Sequence, residues 1–149
     1  MGNSNEMTII FDSRPENEGL ARVTAAAFCT QLNPTLEEVA DLKTAVSEAV
    51  TNCIIHGYCD AEDEEVLISM EVKARQLTIC VEDTGVGIAD VKQAMEPTFS
   101  TRAEHMGLGF VFMQTFMDNI EVFSELGKGT TVVMHKLLPA NEQQIDEVG

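Results

Sequence analysis

The chain has 149 residues, 44% of them hydrophobic, enough for one sizeable core and hardly for two, because separate domains usually need about 100 residues each. Nine Lys and Arg against 25 Asp and Glu give a formal charge of −16, a field that repels phosphate backbones and argues against direct binding to DNA or RNA. No window approaches the roughly 18 to 20 apolar residues of a membrane-spanning helix, and the first six residues are polar, so a single cytoplasmic domain without membrane or nucleic-acid partners is expected.

The four cysteines, Cys29, Cys53, Cys59 and Cys80, include no CxxC pair, and free thiols are expected. Cys53, His56 and Cys59 fall at three-residue intervals. A fourth zinc ligand is missing and Cys53 lies on an apolar helical stripe, so a core role outweighs metal ligation.

In chain order, Met7 to Asp12 is short, apolar and β-branched and predicts a first strand. Glu16 to Gln31 follows a helical period, with Leu20, Val23 and Ala27 as its apolar stripe and Phe28 beside them. Pro34 interrupts the pattern, and Thr35 with Glu38 has the form of a capping box that opens a second helix. That helix carries a clear stripe at Leu42, Val46, Ala49, Val50, Cys53 and Ile54, with Gly57 as its stop. Glu48, Asn52 and His56, four apart, share a different face.

After the acidic loop Asp60 to Glu65, alternation at Val66, Ile68, Met70 and Val72, then at Leu77, Ile79 and Val81, predicts a hairpin with one covered face. A glycine-rich turn begins at Asp83. Ile88 to Met106 has poor periodicity and predicts a mobile loop with a short helix. Gly107-Leu108-Gly109 then leads into an apolar helix, Phe110 to Met117. Two last strands, Ile120 to Ser124 and Thr130 to Leu138, are joined by Gly127-Lys128-Gly129, residues that tolerate positive φ. The order predicts one α+β domain over 1–149, ordered from about 7 to 137, with a flexible tail over 139–149. Its architecture is a two-layer sandwich, a mainly antiparallel sheet with helices on one face.

Three clusters interrupt this regular pattern: Glu48 with Asn52, the Asp83-Thr84-Gly85-Val86-Gly87 turn, and Gly107-Leu108-Gly109. Taken singly, each reads as a solvated helix face or an ordinary turn. Gly127-Lys128-Gly129-Thr130 is not a P-loop, which needs a glycine where Val122 stands and Ser or Thr where Gly129 stands. Neither Gly-x-Gly extends to a dinucleotide fingerprint, since Asp90 and Phe112 occupy the third glycine positions.

Together and in this order, Glu48-x-x-x-Asn52, Asp83-x-Gly85-x-Gly87 and Gly107-x-Gly109 resemble the GHKL ATPase superfamily, whose ATP-binding fold is the two-layer sandwich described above. Within it, Ser47-Glu48-Ala49-Val50-Thr51-Asn52-Cys53-Ile54-Ile55-His56-Gly57-Tyr58, and Ala21-Arg22-Val23-Thr24 before Ala26-Ala27-Phe28, are similar to the anti-sigma F family of serine kinases. The likeness runs from about residue 7 to 137.

The resemblance implies ATP or ADP with Mg²⁺ as ligands, and each position suits the role implied for it. Asn52 offers a hard amide oxygen to Mg²⁺, and Glu48 on the same face is placed to act as catalytic base. Asp83 would accept from the adenine amino group, with Gly85 and Gly87 allowing close approach of the backbone and Thr130 backing the contact. Gly107, Leu108 and Gly109 would open a helix whose N-terminus binds phosphate. Ser100, Thr101 and Arg102 form the preceding lid. That lid departs from the family pattern, with His105-Met106 where Arg-Ser commonly stands, which leaves Arg102 as the candidate cation for the γ-phosphate.

The resemblance also implies a homodimer that holds sigma F and phosphorylates a serine of an anti-anti-sigma protein, with Arg22 meeting both partners. The open alternatives are a kinase for a stress-response sigma factor and a module that binds ATP without transferring phosphate.

Overall fold

The computed structural model describes residues 4–96 and 101–140, and for 101–105 the backbone alone. Ser100 and the tail from 141 onward lie outside the described residues. Five strands form one antiparallel sheet in the order β1-β2-β3-β5-β4: β1 Ser4–Asp12, β2 Glu65–Lys73, β3 Gln76–Asp83, β4 Asn119–Glu125 and β5 Gly129–Leu137. Helices α1 (Glu16–Cys29), α2 (Leu36–Asn52), α3 (Val91–Ala94) and α4 (Thr101–Phe116) complete the α+β fold.

The two-residue period of the strands decides which sheet face is covered. Val66, Ile68, Met70 and Val72 of β2, Leu77, Ile79 and Val81 of β3, and Val132 and Met134 of β5 are buried on the helix side. The opposite face carries Ile10 and Phe123, each 57% exposed.

Helix α2 is the central helix, in contact with both α1 and α4. Its start is the expected capping box: Thr35 accepts from the Glu38 N–H while the Glu38 carboxylate accepts from the Thr35 N–H, which pairs two helix-end donors. Leu42, Val46, Ala49, Val50, Cys53 and Ile54 are buried as the stripe predicts. The helix continues past Asn52 as a π-helical turn, Cys53–Gly57, so Gly57 ends a wider coil. Such turns insert one extra residue into a helix and often mark functional sites.

Two expectations are corrected. On α1 the buried face is Ala21, Ala25, Phe28 and Cys29, while Leu20 and Val23 are 60% and 56% exposed and Ala27 is exposed as well. The helix runs close along α2 and small side chains fill that contact, so the larger aliphatics turn outward. Helix α4 begins at Thr101 rather than Phe110. Gly107 and Gly109 are therefore internal to it, because packing against α2 carries the coil through them.

The reversed face of α1 gives a direct test. Phe28→Ala is expected to lower unfolding free energy by about 3 to 5 kcal/mol, while Val23→Ser changes it by less than about 0.5 kcal/mol. Urea denaturation of the two variants checks the assignment.

Candidate functional site

The chemistry-bearing residues converge where the end of α2, the end of β3 and α4 meet. Asp83 is the last residue of β3, and its alternation turns the side chain toward the helices, where it is 6% exposed. Its Oδ1 accepts from the Gly85 N–H at 2.9 Å, and Thr130 stands directly across the ladder. Burial raises its pKa above the ordinary 3.8, partly offset by the Gly85 hydrogen bond and by the neighbouring Cys53 side chain and Thr130 backbone.

The turn after Asp83 has nearly every backbone donor assigned. Thr84 N–H donates to the Tyr58 hydroxyl at 2.8 Å, Val86 N–H to Gly57 O at 2.9 Å, and Ile88 N–H to Ser124 Oγ at 2.7 Å. Gly127 N–H reaches back to Val86 O at 2.7 Å. The loop is thus threaded between the π turn and the β4–β5 hairpin. Only glycine fits two of its positions: a methyl group at Gly85 would lie 2.0 Å from Gly57 O, and one at Gly87, where φ is +76°, would lie 2.1 Å from Glu125 O.

Asn52, the last residue of α2, faces the same region. Its Nδ2 is buried and has no hydrogen-bond partner, a costly state that a polar ligand would relieve. Glu48 lies one turn earlier. Gly109 of α4 rests on both: a methyl group there would lie 3.1 Å from Glu48 Oε2 and 3.3 Å from Asn52 Oδ1 and Nδ2. A cavity of about 30 Å³ remains, lined among others by Asn52, Cys53, His56, Asp83, Met106 and Thr130. That volume admits a water molecule and no nucleobase. A larger hollow of about 680 Å³ lies along the uncovered sheet face, against Ile10, Leu67 and Phe123, and includes neither Glu48 nor Asn52.

Residues 11–136 match the model of the histidine kinase-like ATPase domain. The chain is 52% identical over 140 residues to the anti-sigma F factor of Clostridium novyi, covering 93% of this chain and 98% of that one. It is 54% identical over 134 residues to the anti-sigma F factor of Clostridium beijerinckii, covering 89% and 94%. The chain belongs to the anti-sigma F factor family.

Solved structures agree on the fold. The RsbU and RsbW domains of a Mycobacterium tuberculosis protein align with a TM-score of 0.63 at 16% identity, over 90% of this chain and 32% of that one. A blue-light activated histidine kinase of Erythrobacter litoralis aligns at 0.56 and 20% identity, over 78% and 40%. An ATPase domain implies nucleotide binding, and the buried carboxylate of Asp83 and the unpartnered amide of Asn52 are groups a nucleotide could satisfy.

The fold brings together Glu48, Asn52, Asp83, Gly85, Gly87, Gly109 and Thr130. Thr130 sits opposite Asp83, and its hydroxyl pairs with Ser124 Oγ at 2.8 Å. Gly107 is buried and Leu108 is 40% exposed. Gly107 and Gly109, expected to open a helix, lie in this structure inside one that starts at Thr101, where their N–H groups fall beyond the four that a helix leaves unpaired. Thr101 and Arg102 are helical in backbone, and their side chains lie outside the described residues, as does Ser100. Arg22 stands apart on α1, its side chain 45% exposed and its Nε 4.0 Å from Glu18 Oε1. No helix among the described residues is long and apolar enough to cross a membrane.

Sequence reasoning assigned no site role to Tyr58 or Ser124 and gave Cys53 only a core role. Tyr58 and Ser124 act through partners 26 or more residues away, and only the positions of Gly57-Tyr58 next to the Glu48–Asn52 segment hint at it.

Because burial raises the Asp83 pKa, the folded carboxyl holds its proton more firmly than the unfolded one. Its contribution to stability is complete below the ordinary value and is lost as pH rises through the folded value, so at neutral pH the buried charge is a cost. Asp83→Asn is therefore expected to raise the melting temperature of the nucleotide-free protein at pH 7. The gain should shrink as pH falls toward 4, and thermal melts across that range measure it.

Proposed function

We propose that this protein is an ATP-dependent serine kinase that inhibits sigma F and phosphorylates the anti-anti-sigma protein that opposes the inhibition. The observation that carries the proposal is the convergence of Glu48, Asn52 and Asp83, which lie on α2 and β3, around one buried site with an unsatisfied amide. Membership of a family named for anti-sigma F activity supports the choice of partner.

In this reading Asp83 accepts from the adenine amino group while Gly85 and Gly87 admit the base edge and Thr130 backs it. Asn52 presents its amide oxygen to Mg²⁺, which when bound would neutralise charge on the nucleotide phosphates. Glu48 accepts the proton of the incoming serine hydroxyl as its oxygen attacks the γ-phosphorus and ADP leaves. Arg102 in the lid is proposed to meet the γ-phosphate.

Met106, and Phe110 on the same helix, line the small cavity, so a base can enter only if this part of α4 moves. Such a shift would uncover N–H groups near Gly107 and Gly109 for phosphate, since glycine makes the helix easiest to open there. Arg22 is flanked by the outward-turned Leu20 and Val23. A charged group amid exposed aliphatics suits a protein interface, and we assign the partner contact to it. The working form is proposed to be a cytoplasmic homodimer that binds sigma F with ATP and stays with the anti-anti-sigma protein as ADP complex.

Purified protein incubated with Mg²⁺, γ-labelled ATP and the anti-anti-sigma protein is expected to yield acid-stable label on that partner. Glu48→Ala should reduce the transfer by about 10²- to 10⁴-fold, the usual contribution of a general base, while ATP binding persists. Binding without transfer by the unaltered protein would instead identify a module that only senses ATP, and label on a stress-pathway partner alone would reassign the sigma factor. In a parallel pull-down, Arg22→Ala should retain nucleotide binding and lose sigma F. Retained capture would remove Arg22 from the interface.

A further inference from the structure

The Arg22 side chain is 45% exposed, and a long side chain in that state gives up rotamer freedom when a partner fixes it. Its neighbour on α1 is Glu18, one turn earlier, whose Oε1 lies 4.0 Å from Arg22 Nε. An exposed pair of this kind orders an arginine weakly when both side chains can move. Here one of them is held. The Glu18 side chain is 21% exposed, and the same Oε1 accepts a hydrogen bond from the Ser47 hydroxyl of α2, 29 residues away in the chain.

Packing does not supply that restraint. Beside Glu18, the junction of α1 with the π turn leaves a groove of about 260 Å³ lined also by Pro15, Thr51 and Ile55, so the carboxylate has room to turn away from Arg22. The guanidinium itself lies back over the first turn of α1, where a methyl group at Gly19 would stand 3.7 Å from Arg22 Nη2. Ser47 directly precedes Glu48, and successive helical residues point about 100° apart. The Ser47 hydroxyl therefore addresses α1, while the Glu48 carboxylate lies against Gly109 of α4.

We propose that Ser47 is a positioning residue for the protein partner: through Glu18 it holds the Arg22 guanidinium in place before the partner arrives. The proposal rests on the reading of Arg22 as the partner contact. Its gain is in preorganisation, since an arginine already ordered in the free protein loses less freedom on binding.

Two measurements test it. In the free protein, the ¹⁵N heteronuclear NOE of the Arg22 Nε–H reports the order of the guanidinium, and Ser47→Ala is expected to lower it toward the value of a free arginine. Titration calorimetry then gives dissociation constants for sigma F, with Mg²⁺ and ATP present, on Ser47→Ala, Glu18→Ala, their double variant and Arg22→Ala, with thermal melts to confirm folding. Ser47→Ala is expected to weaken sigma F by about three- to tenfold, the scale of one hydrogen bond, and to leave ATP affinity within about twofold. Added to Glu18→Ala, it is expected to have no further effect, because the two act as one unit. An unchanged Arg22 signal in Ser47→Ala overturns the proposal, and so does a loss of sigma F that persists undiminished on the Glu18→Ala background, which would make Ser47 a packing residue of α2. If Arg22→Ala binds sigma F as tightly as the unaltered protein, the reading of Arg22 fails and this proposal fails with it, whatever the NOE shows.

Discussion

The buried carboxylate of Asp83 is the constraint around which the rest of the site is arranged. A carboxylate held at 6% exposure is tolerated only where polar partners are at hand, and here the Gly85 N–H of the turn that follows it donates to its Oδ1. The same requirement explains the glycines. Gly57 and Gly85 must lack side chains because helix end, turn and carboxylate occupy neighbouring positions that a single methyl group would overfill. The π turn follows from the same crowding: its wider coil sets Gly57 against Asp83 and leaves Gly57 O free to take the Val86 N–H.

Helix α4 is held unequally along its length. Its C-terminal end is fixed by Lys136, 9% exposed, whose Nζ donates to Phe116 O at 2.7 Å and lies 4.0 Å from Asp41 Oδ2. Phe110, Met113 and, just beyond the helix, Met117 are buried in the core. Toward the N-terminal side the contact with α2 is made through Gly109, which has no side chain to interlock with Glu48 and Asn52. Side-chain packing of Phe110, Met113 and Met117 thus holds the later turns, while at Gly109 the contact with α2 is made without a side chain.

On the outer surface, α1 shows how one helix divides between two tasks. Alanines and Phe28 face α2, and this leaves Leu20 and Val23 beside Arg22 in solvent. Glu18 links the two helices, since it accepts from the Ser47 hydroxyl next to Glu48 and is the ion-pair neighbour of Arg22. The surface that presents Arg22 is thus bonded to the helix that carries Glu48 and Asn52, with no flexible segment between them.

Much of this was legible in the residues themselves. The capping box at Thr35 and Glu38, the α2 stripe and the alternation of β2 and β3 are local patterns, and each depends only on a fixed helical or strand period. Glu48, Asn52, Asp83 and the paired glycines could likewise be singled out as an ordered set, because together they resemble the motifs of the GHKL superfamily. What tertiary structure alone decided is which surfaces meet. The aliphatic stripe of α1 turned outward because close approach to α2 favours small side chains, a property of the pair of helices and not of either sequence. Gly107 and Gly109 became helix interior because packing of α4 on α2 extends the coil past residues that would end an isolated helix. The contacts of Tyr58 and Ser124 with the Asp83 turn join segments far apart in the chain, and no local period encodes them.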